Sequence, residues 1–121
     1  MFKGHIKIES DLTISQYKIL KSLLGKDIRK INDKSGYDNS FTFIDLEIND
    51  DLNKLKHSGA EKTHGLAGQI NYIVAQIKKH NPNIPFILNG KITEIEHGEK
   101  IITNVIDSIA KSEFESLMDD D

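Results

Sequence analysis

The sequence predicts an α+β domain, a two-layer sandwich in which two helices cover one face of a four-stranded mixed sheet in the order β-α-β-α-β-β. Three observations predict it. Two segments repeat apolar residues at three- and four-residue steps, the period of an amphipathic helix. Four others show the alternation or the β-branched content of strands. A sheet cannot bury its apolar face alone, so helices interspersed with strands pack on it as a second layer. The two strand-helix-strand crossovers are expected to be right-handed if they join parallel strands. The chain's 121 residues suffice for one domain, assigned to residues 1–108, with residues 109–121 as an acidic amphipathic tail or short helix.

The first strand is read from His5-Ile6-Lys7-Ile8-Glu9, where Ile6 and Ile8 share one side. Thr13-Ile14-Ser15-Gln16 then fits a capping box, the Thr13 hydroxyl and the Gln16 amide each satisfying an orphan backbone N–H. Ile14, Tyr17, Leu20, Leu23 and Leu24 fall on one face of the helix that follows, and Gly25 is its expected stop, although Ile28 and Ile31 keep the period. Residues 32–40 form a polar loop rich in turn formers. Phe41 to Ile48 reads as the second strand, with a change of phase between Phe43 and Ile44 that predicts either a bulge or a start buried on both faces. Asn49 to about Thr63 is a polar stretch tacked to the core by Leu52 and Leu55.

The second helix is expected over Thr63 to His80, from the stripe Leu66, Ile70, Ile73, Val74 and Ile77, with Thr63 as its cap and Pro82 ending it. Residues 84–96 and 99–106 read as a hairpin turning at His97-Gly98.

Composition narrows the chemistry. Hydrophobic residues at 37% and charged residues at 29% describe a folded, soluble chain. The net charge of -3 argues against a broad electrostatic grip on nucleic acid or anionic lipid while leaving room for a local basic patch. With no cysteine, thiol chemistry and disulfides are excluded. No stretch approaches the length of a membrane span, so a cytoplasmic location is expected, in the host cytoplasm for a phage-encoded chain.

Five histidines, His5, His57, His64, His80 and His97, are scattered one per element or loop, without the spacing of a metal site, so neither a metal nor another cofactor is expected. Asn49, Asp51 and Asn53 start like a calcium loop, but Lys54 and Ala60 stand where the required Gly and Glu would be, which leaves a loop of Asx turns. Glu94, Glu96 and Glu99 cluster at the hairpin tip as solvated charges, and the chain lacks the nucleophile-elbow and dinucleotide-binding motifs, so no catalytic residue is assigned.

Lys62, Thr63 and His64, at the expected start of the second helix, are candidate holders of an anion, the competing reading being an ordinary helix cap. Phe114, Leu117 and Met118, set among Glu113, Glu115 and Asp119 to Asp121, are candidate partner-binding residues in the tail. Lys26, Arg29, Lys30 and Lys34 form a local basic run, read as solvated surface. Phe41, Phe43 and Phe86 are assigned to core packing and not to base stacking.

Three stretches in order, Gly4-His5-Ile6-Lys7-Ile8, Gly59-Ala60-Glu61-Lys62 and Leu88-Asn89-Gly90-Lys91-Ile92, resemble a family of small uncharacterised proteins of bacteriophages and prophages. The chain departs from that family in having no tryptophan. The resemblance implies the same element plan and an accessory protein that binds something in the infected cell. The reading is therefore a non-enzymatic interaction protein that binds and modulates a host protein. The alternative is a small-ligand or nucleotide-binding protein using the anion site. Nucleic acid is disfavoured by the net charge, and a homo-oligomer is compatible with exposed sheet edges.

Overall fold

The computed structural model describes residues 1–28, 43–59, 63 and 65–116. They form β1 (Phe2–Ile8), α1 (Ile14–Leu23), β2 (Leu46–Ile48), β3 (Lys54–His57), α2 (Leu66–His80), β4 (Leu88–Glu96), β5 (Glu99–Ile106) and β6 (Ile109–Ser116). The class is α+β with two helices, but the sheet has six strands in the order β2-β3-β1-β4-β5-β6, and every neighbouring pair is antiparallel. This corrects the four-stranded mixed sheet. No parallel crossover exists among the described strands, because β1 pairs antiparallel with both β3 and β4.

Two strands account for the difference. β3 lies in the stretch expected to be an irregular polar connection. Only Leu55 of its four residues reaches the core, where it is fully buried. The loop joining β2 to β3 is built by Asn49, whose Oδ1 accepts from the N–H groups of Asn53 and Lys54, both at 2.9 Å. β6 replaces the expected tail or short helix. It pairs with β5 along its whole length, from Ile106↔Ile109 to Glu99↔Ser116, through a two-residue turn at Asp107 and Ser108. Both turn residues have positive φ, 48° and 66°, as a type I′ hairpin requires. The turn is anchored by the buried Ser108 hydroxyl, which donates to the Phe86 carbonyl and accepts from the Leu88 N–H, each at 2.9 Å.

Local signals elsewhere fold as read. Thr13 and Gln16 form a complete capping box, and His97-Gly98 turns β4 into β5 with φ of 49° and 78°. On α1 the buried residues are Gln16, Leu20 and Leu23, whereas Ile14 is exposed. The polar Gln16 enters the core because its amide is satisfied twice, by the cap and by the Pro85 carbonyl at 3.1 Å. Gly25, with φ of 71°, follows the helix end, and Ile28 is buried without extending the helix. The second strand is shorter than expected. Phe43 makes only an isolated bridge to Asp27, and Ile44, Asp45 and Leu46 are buried in succession, which produces the change of phase in the sequence. Asp45 tolerates burial because its backbone N–H and carboxylate both meet the Gln69 side-chain amide, at 2.8 and 3.0 Å.

Both helices lie against one face of the sheet. Leu20 and Leu23 of α1 and Ile70, Ile73, Val74 and Ile77 of α2 share a single core with Ile6, Ile8, Leu55, Leu88, Ile92 and Val105 of the strands. Side chains alternate along a strand, so the neighbours of these residues point to the opposite face, which neither helix covers.

Candidate functional site

Of the proposed anion site, Thr63 is described, whereas Lys62 and His64 lie outside the described residues. Thr63 does not cap α2. The helix starts three residues later, at Leu66, and its cap is Gly65 in the left-handed conformation, with no side-chain cap bond. Thr63 pairs instead with His57, its hydroxyl 2.5 Å from the His57 Nε2. The His57 Nδ1 accepts from the Gly59 N–H at 3.0 Å, so Nε2 carries the proton of the neutral ring and donates to Thr63. The ring is stacked on Phe2, centroids 3.4 Å apart. Burial pushes the His57 pKa below its usual value, assisted by the N-terminal ammonium and opposed by Asp45 and Glu47.

Thr63 also lines a cavity of about 400 Å³ between the start of α2 and strands β4 to β6, with Glu94, Ile101, Thr103 and Ser112. The Thr103 and Ser112 hydroxyls bond each other at 2.7 Å. Glu94 belongs to this cavity and not to the hairpin tip where its sequence neighbours Glu96 and Glu99 lie. Of the proposed partner-binding residues, Phe114 lies on β6, exposed on the helix-bearing side of the sheet and opposite Ile101 of β5. Leu117 and Met118 lie outside the described residues, as do Arg29, Lys30, Lys34 and Asp119 to Asp121. Among the described residues no group of three His, Asp or Glu side chains could hold a metal ion, and no helix is long and apolar enough to cross a membrane.

Among the described residues, lysines gather on the uncovered face of the sheet. The register places there Lys54 and Lys56 of β3, Lys3, His5 and Lys7 of β1, Lys91 of β4, Lys100 of β5 and Lys111 of β6. Seven lysines thus meet four glutamates on the same face, Glu47, Glu113, Glu115 and Glu9, whose carboxylate accepts from the Asn89 amide at 3.0 Å, although the whole chain carries a net charge of -3. Lys56 is neutralised by Glu47, its Nζ 3.4 Å from the carboxylate. Lys100 stands opposite Glu115 in the register. The remainder forms a band: Lys7 stands directly across from Lys54, His5 directly across from Lys91, and Asn104 connects Lys91 to Lys111. Lys3, Lys7, Lys54, Lys91 and Lys111 are all exposed. At about 4.8 Å per strand, the band from β3 to β6 is roughly 19 Å long.

Like charges facing each other across a strand pair are unfavourable. The fold therefore holds Lys7 against Lys54 at a cost to its own stability, and a negatively charged layer on this face would remove that cost. Sequence reading missed the band because its members are spread from Lys3 to Lys111, and only the cross-strand register brings them together. The one local sign was Lys-x-His-x-Lys in β1 and Lys-x-Lys in β3, basic residues at every second position of a strand with one open face. No protein-family model, no curated protein and no solved structure matches the chain.

Proposed function

We propose that this protein works by binding and not by catalysis, and that it binds a polyanionic partner through the uncovered face of its sheet. The observation that carries this reading is the lysine band Lys54–Lys7–Lys91–Lys111 on a face that neither helix covers. An acidic surface on a host protein, the partner implied by the resemblance to phage proteins, belongs to this class of ligand. Such an interaction is strong at low ionic strength and fades as salt screens it, because the lysines are exposed.

The test compares two double variants with the same change in net charge on an immobilised polyanion such as heparin. Lys7→Glu with Lys91→Glu alters the band, and Lys18→Glu with Lys21→Glu alters exposed positions of α1. The expected result is that the wild type and the α1 variant are retained at low salt and the band variant is not. Equal loss in both variants, or no retention of the wild type, would refute the assignment of this face.

A further inference from the structure

Resting on the reading of the uncovered face as a polyanion-binding surface, we infer that its ligand is the sugar-phosphate backbone of a nucleic-acid duplex, held without regard to base sequence. Three features of the face lead there. The first is composition. The centres of protein-protein interfaces are depleted in lysine and depend on buried aromatic or arginine anchors. Across β3, β1 and β4 the uncovered face presents Lys54, Lys7, Lys3, His5, Lys91, Asn89 and Thr93, which are basic and hydrogen-bonding groups, with the Glu9 carboxylate on Asn89 at the end of β1. Its apolar members, Ile95, Ile102, Ile106 and Ile109, are displaced towards β5 and the ends of its neighbours. Lysine-rich polar surfaces of this kind are typical of contacts to phosphate.

The second feature is that no Phe, Tyr or Trp lies among the described residues of this face, where the His5 imidazole is the single ring. Phe2 and Phe114 fall on the other side of the sheet by the alternation. Single strands are held by stacking successive bases on several such rings, and one imidazole does not make that platform. The phosphates of a duplex remain accessible to it. Lysine is a point charge without the planar fork that reads guanine, and recognition of the backbone alone carries no sequence information.

The third feature is the arrangement of the charges. Lys3 and Lys7 stand about 13 Å apart along β1 with His5 midway between them, and the band crosses the sheet at about 4.8 Å per strand. The result is a two-dimensional array of cations on a rigid support. The face carries more lysines than glutamates, so a second copy stacked on it would meet a surface of the same net sign.

Fluorescence anisotropy of the full chain with labelled duplexes of about 20 bp, one AT-rich and one GC-rich, tests the inference. If about four phosphates are neutralised, the slope of log K against log salt is about -3.6, and affinity falls roughly 150-fold between about 50 and 200 mM salt. The two duplexes should bind within about twofold of each other, and a single strand of the same length more weakly, since stacking is missing. Lys7→Glu with Lys91→Glu should reduce the slope by about two, as two phosphate contacts are lost.

Polyglutamate and heparin serve as competitors and as ligands in their own right. If they bind in a lysine-dependent manner and the duplexes do not, the nucleic-acid inference is overturned while the polyanion reading stands. If nothing anionic binds, both fall. A dimer in sedimentation that is abolished by the same double variant would also overturn the inference, because the face would then be occupied by a second copy.

Discussion

His57 shows how a single residue can organise a connection between elements. Its neutral ring receives the Gly59 N–H on one nitrogen and donates to Thr63 from the other, so it secures the chain that leaves β3 on its way to α2. Protonation destroys the first of these bonds, because a charged ring has no acceptor. Burial lowers the folded-state pKa, so at a pH between that value and the ordinary 6.5 the unfolded chain binds the proton more readily than the folded one. The stabilisation is therefore complete above about pH 6.5 and is lost as pH falls through the lowered folded-state value. A proton NMR titration should give His57 a midpoint below 6.5, with the Gly59 amide shifting at the same pH. A midpoint at or above 6.5, or a Gly59 amide indifferent to pH, would contradict this account of the bond. The sequence marked Thr63 as notable for the wrong reason. A hydroxyl before an apolar stripe reads as a helix cap, and its partner His57 is six residues away in a strand whose existence the local pattern hid.

At the scale of elements, legibility followed from how many core-facing residues each one carries. α2 has a stripe of buried aliphatics and could be read directly, whereas β3 contributes one core residue and β6 shows only Ala110 buried. A strand at or near a sheet edge, with one face in solvent, alternates between charge and weak hydrophobicity, which the eye takes for a loop or a frayed helix. β6 nevertheless has a managed edge. The backbone of Ala110 faces away from β5, and the Asn71 side chain of α2 meets both of its polar groups. The amide donates to the Ala110 carbonyl at 3.0 Å, and its oxygen accepts from the Ala110 N–H at 2.9 Å. The asparagine thus stands in for a seventh strand at that point. Exposed strand edges recruit other chains, so Asn71→Ala should cost about 1–3 kcal/mol through two unsatisfied backbone groups. It should also increase concentration-dependent self-association. Denaturant melts and light scattering measure the two effects, and a variant as stable and as monodisperse as the wild type would show that water replaces the amide without loss.

For the whole molecule, the informative quantity is the distribution of charge and not its sum. A net charge of -3 argued against a broad electrostatic grip on nucleic acid and left room only for a local patch, because composition averages over two faces that the sheet keeps apart. The fold collects seven lysines on one of them, and no window of sequence could reveal this, since neighbours on that face are as distant as Lys7 and Lys54 or His5 and Lys91. Stability and binding then place opposite demands on the same residues. Lys54→Glu replaces a repulsive cross-strand pair with an attractive one facing Lys7, and such pairs differ by about 0.2–1 kcal/mol in favour of opposite charges. For a domain of this size that corresponds to a rise in Tm of about 1–4 °C at low salt, shrinking as salt is added because both side chains are exposed. The same substitution removes a cation from the band and should weaken polyanion binding severalfold. A cation retained only as solvated surface would improve in stability on this change and lose nothing in binding. A rise in Tm accompanied by loss of affinity, measured on one preparation at one ionic strength, is the outcome that separates a functional band from an incidental one. If Tm falls instead, Lys54 contributes packing through its aliphatic stem that outweighs the repulsion, and the claim that the fold holds this charge at a cost is wrong.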